Sequence, residues 1–319
     1  MRRILALVGI AASLGLSQPA AAAREAAGLP PRLESNAVIV IDQEQGEAIY
    51  AKNPRAIMPI ASITKLMTAV VVLDSKLPLD EPLVVTHEDL DFIKGTSSRL
   101  GIGTVLSRGE MLKLALMASE NRAASALGRH YPGGSSAFVA AMNRKALELG
   151  MRDTRFVDST GLNPDNVSTA QDLVRLVEAG YGHPVIRDFT TSSSHLVAVD
   201  GSSRNRVLAF NNSNGLVRAG EWDIGLSKTG YISEAGRCLV MQARIATKPV
   251  IIVLLDSWGK LSRLADANRI KHWIESETGA SQELSHARPV MVRSPGRVTK
   301  VIRARSAEPR RPLRGTRRM

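Results

Sequence analysis

The sequence predicts an α/β fold: one antiparallel sheet built from both ends of the chain, flanked by helices, with a helical insertion between. Three observations carry this. Residues 36–42 and 47–52 read as strands near the start of the body. Residues 224–229, 237–245 and 249–256 read as strands near its end, and the helical patterns lie mostly between the two groups. Short connections between the late strands favour antiparallel pairing, and one sheet with helices packed on it is the economical way to bury both groups.

Each element has its own reason. Residues 36–42, Asn-Ala-Val-Ile-Val-Ile-Asp, are an apolar, β-branched run, as a buried strand requires. Gln43, Glu44, Gln45 and Gly46 make a turn, so residues 47–52 return as the second arm of a hairpin. A loop over 54–61 leads into a helix over 62–74 marked by Leu66, Met67, Val70 and Leu73, and Pro78 and Pro82 bound a linker. Apolar helices follow over 110–118, 122–129 and 136–149, the last closed by Gly150 as a C-cap. Thr169 and Asp172 form a capping-box signature opening a helix to Ala179. A last helix is expected over 261–277.

Charge divides the chain. Among 319 residues, 42 Lys and Arg against 30 Asp and Glu give +12. Residues 281–319 hold 11 basic and 2 acidic residues, and Arg2 and Arg3 add to the excess. The stretch 4–280 is nearly neutral, with 29 basic and 28 acidic residues. Composition therefore forces no basic face on the body, which weakens a nucleic-acid-binding reading. Met1-Arg2-Arg3, an apolar run over 4–16, Gln18-Pro19 and four alanines over 20–23 form a signal-peptide pattern. That run is short of the ~20 residues a bilayer span needs, so cleavage near Ala23 and export, to a periplasm, are expected. The predicted division is a signal segment over 1–23, a body over 24–280, and a basic, disordered tail over 281–319. Cys238, the single cysteine, has no partner for an internal disulfide and is expected as a small buried residue.

Three short motifs are candidates for chemistry. Ser62-Ile63-Thr64-Lys65 sets a hydroxyl and an amine on one helical face. A serine becomes a nucleophile when a neighbouring base takes its proton, and a buried lysine can be that base. Backbone N–H groups at a helix start are free to face an oxyanion. Ser119-Glu120-Asn121 falls between two helices, and Lys228-Thr229-Gly230 ends an expected strand, where the glycine permits close approach. Singly these are weak: Ser257-Trp258-Gly259-Lys260 and Ser203-Arg204-Asn205 repeat the first two patterns.

Together, in that order, the three resemble the motif set of class A β-lactamases and penicillin-binding proteins. The stretches 59–69, 118–124, 130–134 and 154–162 are most similar to the D-alanyl-D-alanine endopeptidase branch of the low-molecular-mass penicillin-binding proteins. The resemblance spans about residues 36–277 and leaves out the Arg-rich tail. It implies a β-lactamase/DD-peptidase-like fold and an exported, penicillin-sensitive serine peptidase acting on peptidoglycan stems. It implies Ser62 as nucleophile, Lys65 as general base, and Ser119 as proton relay to the leaving amine. It further implies Asn121 on the substrate amide, Lys228 as a source of positive potential, and Thr229 on the substrate carboxylate. The oxyanion would sit between the N–H groups of Ser62 and Tyr231. Arg263 stands near where some relatives carry a carboxylate-binding arginine, against a plainer reading as a solvated helix charge.

Rival readings remain at this stage. Cutting a D-Ala–diaminopimelate cross-link and trimming a terminal D-Ala proceed through the same acyl-enzyme. A class A β-lactamase would add Glu-x-x-x-Asn, but the residues four after Glu148, Glu178 and Glu221 are Arg152, Gly182 and Gly225. His87-Glu88-Asp89-Leu90-Asp91 lacks the second histidine of a zinc-peptidase motif, so neither metal nor cofactor is expected. A non-enzymatic protein binding anionic wall or membrane surfaces through the tail is the last alternative.

Overall fold

A computed structural model describes residues 29–199 and 206–286, with the side chains of 280–286 excepted. The expected signal segment, the tail beyond His286 and the Ser203-Arg204-Asn205 triplet lie outside the described residues.

The strands β1 (Ser35–Asp42), β2 (Glu47–Lys52), β9 (Asp223–Ile232), β10 (Gly236–Ile245) and β11 (Lys248–Ser257) form one five-stranded sheet. Its order is β2-β1-β11-β10-β9, and the neighbours run antiparallel, so both chain ends do meet in one sheet. The unbroken apolar runs have a cause: both faces are covered. In β1, Ala37 and Ile39 join one core while Val38 and Val40 join the other. In β11, Ile251, Val253 and Leu255 alternate with Val250, Ile252 and Leu254 in the same way. Period-two alternation therefore sends apolar side chains to two different cores.

The first core packs against α1 (Thr64–Asp74), α2 (Arg108–Met117), α3 (Asn121–Arg129), α4 (Gly134–Glu148) and α5 (Ala170–Gly182). The second is closed by α8 (Ser262–His286), which lays Ala267, Ile270 and Ile274 on the sheet. Each such apolar side chain contributes about 1.5–3 kcal/mol when taken fully out of water. Helix α1 is buried on every side from Thr64 to Val72. Its Val70-Val71-Val72 run has modest helix propensity, and tertiary packing overrides it.

Several expectations need correction. The helix expected from Ser62 opens with a 3-10 turn, Ala61–Ile63, before the α-helix begins at Thr64. The strand expected to end at Thr229 runs to Ile232, so Lys228-Thr229-Gly230 lies inside it. The last helix continues past Glu277 to His286, so the start of the expected disordered tail is helical. The capping box is half made: Thr169 Oγ1 accepts from Asp172 N at 3.0 Å, while the Asp172 carboxylate takes Asp153 N, Thr154 and Arg175. The short strands β3 (Met58–Pro59), β4 (Pro82–Val84) and β6 (Val167–Ser168), the hairpin of β7 (Ser194–Val199) and β8 (Arg206–Asn211), and the helices α6 (Pro184–Thr191) and α7 (Gly215–Ala219) are additions to the sequence reading. Gly150 does close α4, with φ of 74°. Cys238 is fully buried, and burial pushes its thiol up to about 11.

Candidate active site

Ser62 stands at the entry to α1, half-exposed, on a turn that two close approaches hold in place. Ala61 is forced to φ of 48°, a left-handed conformation costly for a residue with a Cβ. Gly161, at φ of 79°, packs so tightly there that a Cβ would lie 1.9 Å from Ala61 O. From the other side Gly230 of β9 approaches: its Cβ would meet Ile60 O at 2.9 Å and Ser62 N at 3.2 Å. The glycine of the third motif thus lets the edge strand of the sheet run alongside the serine.

One helical turn on, Lys65 is fully buried. Its Nζ donates to Ser62 Oγ at 2.9 Å, Asn121 Oδ1 at 2.7 Å and the Thr160 carbonyl at 2.6 Å. Three acceptors match the three N–H bonds of an ammonium. Burial nevertheless pushes the Lys65 amine down to about 8, against the opposing pull of Asp158, Glu120 and Asp91. An amine in that range gives up its proton at mildly alkaline pH and can then accept one from Ser62.

The second motif forms a strained turn between α2 and α3. Ser119 has φ of 60°, and Glu120 caps α3 by accepting from Arg122 N at 3.2 Å. The turn turns Asn121 toward Lys65 and Ser119 toward Lys228. Lys228 Nζ donates to Ser119 Oγ at 2.9 Å and to the Thr229 carbonyl at 2.8 Å. Burial first, then the charges of Lys65 and Arg263, hold the Lys228 amine well below the usual lysine range. Thr229 Oγ1 donates to Ser213 Oγ at 2.7 Å.

The structure therefore brings Ser62, Lys65, Ser119, Asn121, Lys228 and Thr229 into one site. Tyr231 follows on the same strand, but its ring is 57% exposed and lies under the Arg237 guanidinium, 4.5 Å away. Arg263 is not a solvated helix charge: its Nη1 donates to Gly230 O at 2.9 Å and Cys238 O at 3.3 Å, holding the strand that carries the third motif. The repeat motif at Ser257 is structural, since that hydroxyl is buried against Ser35 Oγ at 2.6 Å. Three contributors escaped the sequence reading. Thr160 offers only a backbone carbonyl, which no side-chain pattern advertises. Ser213 is distant in sequence, and Thr96 accepts from Asn121 Nδ2 at 2.9 Å out of a loop without a motif. Among the described residues, no cluster of His, Cys, Asp and Glu is arranged to hold a metal ion.

A nucleophile, a buried amine beside it and a lysine-bearing edge strand define a serine peptidase of the penicillin-binding class. The family described as D-alanyl-D-alanine carboxypeptidase, Peptidase_S11, matches residues 23–259, and the chain belongs to it. It is 47% identical over 277 residues to a D-alanyl-D-alanine endopeptidase of Pseudomonas aeruginosa, covering 86% of this chain and 89% of that one. The endopeptidase of Escherichia coli is 46% identical over 261 residues, covering 81% and 84%. Among solved structures, the Streptomyces K15 DD-transpeptidase superposes with a TM-score of 0.72 at 26% identity, covering 77% of this chain and 98% of that one. Penicillin-binding protein D2 of Listeria monocytogenes, in its ampicillin-bound form, gives 0.65 at 30% identity, covering 79% and 100%.

Proposed function

We propose that this protein is an exported periplasmic enzyme that cuts D-Ala–diaminopimelate cross-links of peptidoglycan through an acyl-enzyme on Ser62. The observation that carries the reading is Lys65, a fully buried amine 2.9 Å from Ser62 Oγ. Neutral Lys65 takes the Ser62 proton as Oγ attacks the D-Ala carbonyl. The developing oxyanion is held by the N–H groups of Ser62 and Tyr231. When the tetrahedral intermediate collapses, the C–N bond breaks and the leaving amine receives, through Ser119 held by Lys228, the proton that Lys65 took, which leaves Lys65 neutral again. Water then attacks the ester, giving its proton to Lys65, and Ser62 is released with the stem carboxylate. Lys228 orients Ser119, Thr229 receives the substrate carboxylate, and Asn121 holds the substrate amide in exchange for Thr96. No cofactor takes part, and β-lactams, which mimic the scissile amide, acylate the same oxygen.

Cross-link cleavage is favoured over carboxypeptidase trimming by the relatives named endopeptidases at 46% and 47% identity, against 27% and 30% for carboxypeptidases of Bacillus subtilis and Streptomyces. The family description supports trimming as the second reading. Purified cross-linked muropeptide dimers and monomeric pentapeptides, digested side by side, decide between them. Faster cleavage of dimers is expected; release of D-Ala from pentapeptide at equal or greater efficiency makes the protein a carboxypeptidase. The 11 basic residues over 281–319 add a second contact, electrostatic attachment to anionic wall polymers or lipid head groups.

A further inference from the structure

The walls of the cleft are joined by an ion pair that the proposed chemistry does not use. Lys94 Nζ lies 2.5 Å from Glu234 Oε1. Lys94 belongs to the loop before β5 (Val105–Ser107), and that loop is pinned to the catalytic turn. Asp91 accepts from Lys94 N at 2.9 Å and from Thr96 Oγ1 at 2.6 Å, and Thr96 in turn receives Asn121 Nδ2. Glu234 belongs to the turn between β9 and β10, three residues past Tyr231, and Ser233 Oγ donates to its other oxygen at 2.7 Å. The pair thus links the Asn121 side of the site to the end of the edge strand.

Resting on the function proposed above, a direction follows. With the substrate carboxylate at Thr229 and the oxyanion at Tyr231, the acyl-donor stem continues along β9 toward Glu234. An extended peptide added to an edge strand places its side chains in register with such positions. The diaminopimelate residue of the donor stem ends in an ammonium and a carboxylate, the two charges complementary to Glu234 and Lys94. The side chains are 22% and 42% exposed, and an ion pair open to water on this scale adds little to stability. A stem can therefore displace the pair at little cost and re-pair with both partners. We infer that Lys94 and Glu234 form a specificity clasp for an amino-carboxylate side chain on the donor stem.

The test compares two cross-linked dimers that differ only in the donor stem, one with diaminopimelate and one with lysine, which keeps the ammonium and lacks the carboxylate. The ratio of their kcat/KM values is independent of how much enzyme is folded. The wild-type protein should favour the diaminopimelate donor by about tenfold, the scale of one charge-assisted contact. In Lys94→Ala that ratio should fall toward one. In Glu234→Ala both donors should be cut more slowly, because both carry the ammonium. An unchanged ratio in Lys94→Ala, with dimers still cleaved, overturns the clasp alone. A wild-type protein that forms a penicillin adduct yet cleaves neither dimer overturns the clasp together with the proposed function.

Discussion

Lys65 is the residue on which the chemistry turns, and its environment sets a measurable pH dependence. Burial brings its amine down to about 8, while an unfolded lysine holds its proton to about 10.5. Acylation by benzylpenicillin should therefore accelerate as pH rises toward about 8 and level off above it. A pH profile of the second-order acylation rate checks this, and a flat profile through that range would remove Lys65 as the base. Linkage gives a second sign. Between about 8 and 10.5 the unfolded chain carries a proton that the folded one has lost, so this group's contribution to stability rises with pH across that window. Lys65→Arg should abolish acylation outright, because a guanidinium stays charged at every accessible pH.

At the scale of elements, a buried carboxylate pins the start of α8, whose apolar residues grip the sheet. Asp266, fully buried, accepts from Glu34 N at 3.1 Å, Ser35 N at 2.8 Å and Ser35 Oγ at 2.7 Å, and pairs with Arg269. Ser35 Oγ also meets Ser257 Oγ, so β1, β11 and α8 are tied at a single point. Asp266→Ala takes this acceptor from Glu34 N and Ser35 N and should cost about 3 kcal/mol, read as a lower urea midpoint. This network also marks where the sequence stops being legible. The strand runs of Val38 to Ile41 and Val250 to Leu255, and the turns at Gly46 and Gly150, declare themselves through local pattern. Ser35 and Asp266 do not, because their meaning lies in a contact across 231 positions. The same holds within the site. Ser62 with Lys65 is a local spacing, and the order of three motifs made the rest readable. Ser213 and the Thr160 carbonyl are joined to it only by folding. The β7–β8 hairpin is hard to read because exposed Leu196 and Val207, each 67% exposed, blur the alternation that buried Val197, Val199 and Phe210 would otherwise show.

For the molecule as a whole, the residues of the chemical site and the basic residues at the chain's end are well apart in sequence. The site lies between the edge strand β9 and the helical layer, and the elements that form it end well before the basic segment. Among the described residues no helix is long and apolar enough to cross a membrane. We propose that any attachment through the basic segment is electrostatic, and charges of that kind are screened within a Debye length of ~8 Å in physiological salt. Truncation after His286, the last described residue, should leave cleavage of small muropeptides nearly unchanged. It should weaken co-sedimentation with cell-wall sacculi or anionic vesicles, and added salt should weaken that of the full chain. Equal sedimentation of the two forms at low salt would assign the segment no such role.

The central claim is that Ser62 is the acylated oxygen and Lys65 activates it. Intact-mass analysis after incubation with benzylpenicillin tests this most directly, run on the wild-type protein and on Ser62→Ala. The wild-type protein should gain the mass of one intact penicillin, because attack opens the β-lactam ring without losing an atom. Ser62→Ala should keep its fold, remain unmodified, and fail to cleave muropeptides. A penicillin adduct surviving in Ser62→Ala would contradict the account.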